Sequence, residues 1–365
     1  MMNKEFNLEN FKSYLVKKRL SYSDVDLINF HACVDSSYLT ILAGYSGTGK
    51  SALAKAYVKF MTNNDKDKYV IIPVSPLFTQ PEILCGYYSH INQSYQPDKN
   101  GFIDLIQRAN KEENKDEVFY VIFDELNLAP VENWFCEFIS KMESGEDLIL
   151  YNEKENLNGV LDEFIKNESE NISPKIVKKL EAISKQLFQQ YKSRYSLNNI
   201  KFIGTMNEDE SGNMVSGRVL DRANKVTLQR ANIDSVIDLL SRDVKLTENH
   251  IRFIEIVRKL NEATLDTIEE LKNMNADYLD VEKDFISPRI ISSSIKFIDS
   301  VEKMDNGAEF EEDIVDYILS QRIITKLSAN DSEVLIKKWI QICEENLCKC
   351  NKSLYELNKI LQMVD

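Results

Sequence analysis

At 365 residues the chain can hold one large α/β domain plus a smaller helical one, and 43% hydrophobic with 28% charged residues excludes a mostly disordered protein. A net charge of -14 argues against an autonomous nucleic-acid binder, since counterion release needs a basic surface, although a local basic patch or a loop in an assembled pore stays open. The opening Met1-Met2-Asn3-Lys4-Glu5-Phe6 lacks an apolar signal region and no stretch approaches the roughly eighteen apolar residues of a membrane span, so a cytoplasmic protein without membrane contact is expected.

In chain order, an amphipathic helix is predicted over Phe6 to Leu20, with Phe11, Leu15 and Leu20 near one face, and a second from Ser23 to Cys33. Short apolar strands follow at Leu39 to Ala43, Tyr69 to Val74, Val118 to Phe123, Lys201 to Thr205 and Lys225 to Leu228, with helical patterns between most of them. Continuously apolar strands alternating with helices indicate a parallel sheet covered on both faces, which binds ligands at the carboxyl ends of its strands. The charged run Lys111 to Glu117 reads as a solvated loop. A polar, helical stretch over about 151–195, with Ile176, Leu180, Ile183 and Leu187 at helical spacing, reads as an insertion. After Gln229 the pattern is helical only, at Ile233 to Leu240, Ile251 to Leu260, Ile290 to Val301, Ile314 to Leu327 and Val334 to Leu347. The expected division is therefore an α/β domain over 1–230 and helices over 231–365.

Six cysteines, at 33, 85, 136, 343, 348 and 350, form no C-x-x-C pair and suit reduced thiols. His31, His90 and His250 are isolated from one another and read as structural or surface residues.

Chemistry concentrates elsewhere. Gly44-Tyr45-Ser46-Gly47-Thr48-Gly49-Lys50-Ser51 fits G-x-x-x-x-G-K-[ST] between the first strand and a helix opened by Ala52. Glycines let the loop turn its N–H groups inward and the helix N-terminus adds positive charge, so a triphosphate is the expected ligand. Lys50 is placed to reach the β and γ phosphates, and the Ser51 hydroxyl to hold Mg²⁺. Asp124 and Glu125 end the apolar strand Phe119 to Phe123, the first suited to orienting Mg²⁺ and the second to activating a water. Asn207 closes the next strand, where an amide can bond both a γ-phosphate and the attacking water without adding charge. Arg218 and Arg222 precede the last strand; they fit either a guanidinium offered to a neighbouring subunit's phosphate or solvated surface charge.

Taken together, Phe123-Asp124-Glu125-Leu126-Asn127-Leu128-Ala129-Pro130-Val131-Glu132, Ile203-Gly204-Thr205-Met206-Asn207-Glu208-Asp209-Glu210 and Val219-Leu220-Asp221-Arg222-Ala223-Asn224 resemble AAA+ ATPases of the McrB-like, dynein-related group. Phe30-His31 and Leu84-Cys85-Gly86-Tyr87-Tyr88 also fit, and the resemblance covers about residues 20–300. It implies a P-loop core of five parallel strands with a helical lid, assembled into a ring, usually hexameric, with nucleotide held between subunits. It further implies Asn207 as the sensor-1 residue, Arg222 ahead of Arg218 as the arginine finger, Arg289 as a sensor-2 arginine and Asn127 as the asparagine of an Asp-Glu-x-Asn signature. Members preferring GTP carry Asn-Thr-Ala-Asp where this chain has Asn207-Glu208-Asp209-Glu210, so ATP is expected first and GTP second. Restriction members place a DNA-reading domain before the core, whereas only some thirty residues precede the first strand here, so DNA recognition is expected from another chain or not at all, and DNA contact only indirectly or through the assembled ring.

The resulting expectation is a ring-forming, Mg²⁺-dependent NTPase that drives a partner effector, foremost the nuclease of a restriction or antiphage system. A MoxR-like or dynein-related ATPase that remodels a protein complex shares the same site. A small-molecule kinase is disfavoured by Asn207 and the lid, and a non-hydrolysing scaffold by Glu125. Tyr87 and Tyr88 fit a pore lining and ordinary packing equally well.

Overall fold

Five apolar runs rich in β-branched and aromatic residues form one sheet: β1 (Leu39–Gly44), β2 (Tyr69–Pro73), β3 (Phe119–Asp124), β4 (Ile200–Asn207) and β5 (Ala223–Thr227). Every pairing is parallel and the spatial order is β2-β3-β4-β1-β5. Because β4 lies between β1 and β3, its end stands between the ends of both, with Gly44 opposite Asn207 and Phe123 opposite Gly204. The described residues are 5–89, 94–151, 191–208, 213–228, 233–241, 246–273, 286–304, 313–328, 330–347 and 351–364 of a computed structural model. The expected helical pattern at Ile176 to Leu187, and His90, Asp209, Glu210, Cys348 and Cys350, lie outside them.

The chain divides into two compact units, one comprising 1–14, 23–44 and 50–228, the other 15–22, 45–49 and 229–365. In the first, all of β1 is buried, as a central parallel strand covered on both faces must be. Of the expected N-terminal helices, the first is α1 (Leu8–Lys17) and the second is α2 (Asp24–Ser36), which starts where Ser23 Oγ accepts the Asp26 N–H and packs on β1 and β5. α3 (Lys50–Met61) lies on β1, β3 and β4 with Leu53, Ala54, Tyr57 and Val58 buried. α4 (Phe102–Ala109) is capped by Asp98, whose carboxylate accepts the N–H groups of Asn100, Phe102 and Ile103. With α5 (Cys136–Ser144), which buries Phe138, it closes an aromatic core of Phe102, Phe123, Trp134, Phe135 and Phe202. Gly204 makes room in β4: a Cβ there would stand 2.7 Å from Cδ2 of fully buried Leu126 and force that side chain to shift.

The insertion expected over 151–195 begins and ends at a neck. Leu148–Ile149 pairs antiparallel with Arg194–Tyr195, the Leu150 N–H donates to Ser193 O, and Tyr151 Oη donates to Tyr191 O. Tyr87–Ser89 and Ser94–Gln96 form a hairpin that the sequence pattern does not announce, since three-residue strands carry no periodicity. In it Tyr87 is exposed, while the Tyr88 ring lies 5.9 Å from that of Tyr151. The histidine readings also find packing roles: His31 Nδ1 bonds Tyr57 Oη at 2.8 Å, and His250 is fully buried between Thr247 and the Ile295 carbonyl.

The second unit carries α6 (Ile233–Ser241), α7 (Glu248–Asn273), α8 (Pro288–Glu302), α9 (Ile314–Ile318), α10 (Glu333–Asn346) and α11 (Asn351–Val364). Phe253, Val257, Ile291, Ile298, Trp339 and Leu357 form its core, and the buried Trp339 indole donates to Thr264 Oγ1. Buried Asp316 accepts the Lys352 and Ser353 N–H groups and so caps α11. The continuous helix expected over Ile314 to Leu327 is corrected here. After α9 the backbone widens into a π-helical turn over Leu319–Ile323 and tightens into a 3-10 turn over Ile324–Lys326, where the β-branched run Ile323-Ile324-Thr325 crowds a regular helix.

Candidate functional site

The loop between β1 and α3 takes the backbone path that its glycines predict. Gly44, Gly47 and Gly49 have positive φ, at 141°, 92° and 88°. Thr48 Oγ1 donates to Tyr45 O at 2.9 Å, closing the turn, and Tyr22 Oη donates to Gly49 O at 2.9 Å. A Cβ on Gly49 would lie 2.6 Å from that phenol oxygen, so both the backbone angle and the space exclude a larger residue.

Lys50 and Ser51 open α3, as a phosphate-binding turn requires. Lys50 is 5% exposed, and its Nζ donates to Gly44 O at 2.7 Å, the same carbonyl that accepts the Glu208 N–H. Ser51 Oγ donates to Asp124 Oδ1 at 2.5 Å, and Thr205 Oγ1 donates to that same oxygen at 2.9 Å. Lys55 Nζ takes the other oxygen, Oδ2, at 2.6 Å. Burial pushes the Asp124 carboxyl up, but the hydrogen bonds from Lys55, Ser51 and Thr205 outweigh it and hold the group below its ordinary value, hence ionised at neutral pH.

Glu125 is exposed and sits in the left-handed region, φ 59° and ψ 51°. A non-glycine residue there carries strain of about 1–3 kcal/mol, retained only where surroundings over-determine it. They do so here: its N–H donates to Thr205 Oγ1 at 3.0 Å, its carbonyl accepts the Leu128 N–H, and Leu126 is buried beside it. The result turns the Glu125 side chain away from the core immediately after a carboxylate that points at α3.

Asn127 is 5% exposed, and its Nδ2 donates to Asn207 O at 3.0 Å. The Asn127 carbonyl in turn accepts the Asn213 N–H at 2.8 Å. Asn127 therefore braces the end of β4 from the turn after β3, which makes it a positioning residue for half-buried Asn207. Asn127→Leu should destabilise the protein by about 1–3 kcal/mol, the cost of orphaning a buried polar group, read as a lower urea midpoint.

Three site residues carried no individual signal in the sequence: Lys55, Thr205 as an Asp124 donor, and Tyr22. Lys55 follows Ser51 by four positions, one helical turn, and that spacing is the one clue that was available.

Arg222 Nε pairs with Glu143 Oε2 at 2.9 Å, and Arg218, Asp221, Arg222 and Glu143 line an open groove of about 500 Å³. Both arginines are exposed. The register Leu39 opposite Ala223 puts Arg222 beside the start of β1, whereas the phosphate-type loop leaves from its far end. Five residues at about 3.3 Å each separate those ends by roughly 16 Å. Arg289, exposed at the N-terminus of α8 after Ser287 and Pro288, belongs to the helical unit.

The donor set suits a hard divalent cation, since a serine hydroxyl and an ionised carboxylate are oxygen ligands. Among the described residues no group of three or more His, Cys, Asp or Glu could hold a metal by itself, so a cation here needs further oxygens from a ligand, as Mg²⁺ takes from phosphates.

A family model described as a domain of unknown function (DUF8727) matches residues 241–365, within the helical unit. No match to this chain is found among curated proteins. The α/β unit with its five-stranded parallel sheet is thus characterised by its own geometry, which is compatible with a P-loop fold.

Proposed function

We propose that the chain is a nucleoside triphosphatase of the AAA+ type, resembling the McrB-like group, and that it hydrolyses ATP or GTP with Mg²⁺. One observation carries the reading: the hydroxyl of Ser51, in the first turn of α3, lies 2.5 Å from the carboxylate of Asp124 at the end of β3, with exposed Glu125 next in the chain. A fold that only needed a buried hydrogen bond had no reason to join it to a glycine loop, a helix N-terminus and a strained carboxylate.

In this reading the loop N–H groups and Lys50 hold the polyphosphate. Ser51 and Asp124 hold Mg²⁺, which when bound neutralises charge on the phosphate oxygens. Glu125 takes the proton of the attacking water, and Asn207, braced by Asn127, orients that water beside the γ-phosphate. Appearance of inorganic phosphate from ATP or GTP, dependent on added Mg²⁺, tests this reading; an assembled protein that hydrolyses neither would overturn it.

Arg222 precedes β5 beside the start of β1, about 16 Å from the end that carries the loop, and Arg218 lines the same groove as Arg222 and Glu143. That position supports a role in a neighbouring subunit's site within a homo-oligomeric ring, usually hexameric in the group that the sequence resembles. Arg222→Ala should leave nucleotide affinity unchanged and lower turnover in the assembled ring about a thousandfold. Mixing it with Lys50→Ala protein should restore part of the turnover, because mixed interfaces can join an intact Arg222 to an intact loop.

The resemblance also supports a partner effector, foremost a nuclease of a restriction or antiphage system, with any DNA contact made through that partner or the assembled ring. Affinity capture from the native cell, followed by mass spectrometry, tests it: a co-purifying nuclease supports the reading, and a complex of non-nuclease proteins replaces it with remodelling.

A further inference from the structure

Asp124 offers little free carboxylate. Ser51 and Thr205 both donate to Oδ1, and Lys55 Nζ holds Oδ2 at 2.6 Å. Lys50 lies on the same helix as Lys55, five residues earlier, and the first turn of that helix adds partial positive charge. A bare divalent cation approaching Asp124 therefore meets the Lys55 ammonium beside a helix N-terminus, and finds its strongest ligand already paired. A polyphosphate reverses that balance, since its oxygens supply both negative charge and additional ligands.

We propose that Lys55 is an internal counter-cation of this site, competing with the divalent metal for Asp124 Oδ2 so that metal binds more weakly alone than together with a polyphosphate. This rests on the nucleotide-site reading and deepens it. Lys55 is a positioning residue rather than a catalytic one: its partner is Asp124, and it is one-third exposed on α3. Its stem allows the ammonium to swing into solvent when displaced, at the modest cost expected of a part-exposed ion pair.

The test is metal binding by the full chain without nucleotide, using Mn²⁺ and the loss of its free-ion electron paramagnetic resonance signal. Lys55→Met keeps the stem and removes the charge, and should tighten Mn²⁺ binding about fivefold relative to wild type, the equivalent of the ~1 kcal/mol that such a pair is worth. Lys55→Arg should restore the wild-type titration. In the presence of a fluorescent ATP analogue, Lys55→Met should also lower the Mg²⁺ concentration that half-saturates nucleotide retention. Unchanged or weaker Mn²⁺ binding in Lys55→Met, with a wild-type circular dichroism spectrum, would overturn the proposal; if that variant misfolds, Lys55→Gln is judged by the same titration. Failure of the nucleotide reading shows separately, as an analogue affinity that Lys50→Ala does not alter.

Discussion

Lys50→Ala should weaken binding of a fluorescent ATP analogue about a hundredfold, the lower end of what truncating one partner of a buried charge pair costs. The side chain is 5% exposed at the start of α3, and its ammonium is held on Gly44 O at the mouth of the loop. It is thus already aimed along the loop, and the phosphates would find a desolvated positive charge whose ordering cost is met in the fold. Alanine keeps the helix and removes the charge, so circular dichroism should be unchanged while the titration collapses. Retained affinity in a folded variant would remove phosphate binding from this loop.

Glu125→Gln should give the opposite split: analogue affinity within about twofold of wild type and turnover lowered by roughly 10²–10⁴, the range associated with loss of a general base. Glutamine preserves size and accepts hydrogen bonds, but it does not take a proton at neutral pH. The contacts that hold this position, from the Glu125 N–H to Thr205 Oγ1 and from the Leu128 N–H to the Glu125 carbonyl, use only main-chain atoms of Glu125 and survive the substitution. Single-turnover measurements on the assembled protein separate the two readouts. Full turnover in Glu125→Gln would transfer the base to another residue.

Much of the α/β unit was legible because its determinants are local. A run such as Phe119-Tyr120-Val121-Ile122-Phe123 is apolar at every position, which only a strand covered on both faces tolerates, and Gly44, Gly47 and Gly49 mark a backbone that no other residue follows cheaply. The helical half was less legible. α7 runs to Asn273, well past the expected Leu260, with Thr264, Thr267 and Ile268 buried beyond that point. The hairpin at Tyr87 is too short to declare a period.

The site shows the same division. Residue types at fixed offsets along one chain segment are enough to nominate Lys50, Ser51, Asp124, Glu125 and Asn207, since loop, helix start and strand end each impose a chemical requirement that few residues meet. Which side chains meet across segments is a matter of register. Lys55 and Thr205 reach Asp124 over 69 and 81 positions, and Asn127 reaches Asn207 over 80. Those pairings follow from β4 lying between β1 and β3, and strand order is set by the packing of whole layers, not by any short motif. The chemistry was written locally; its partners, and the separation of Arg222 from its own loop, came from the sheet.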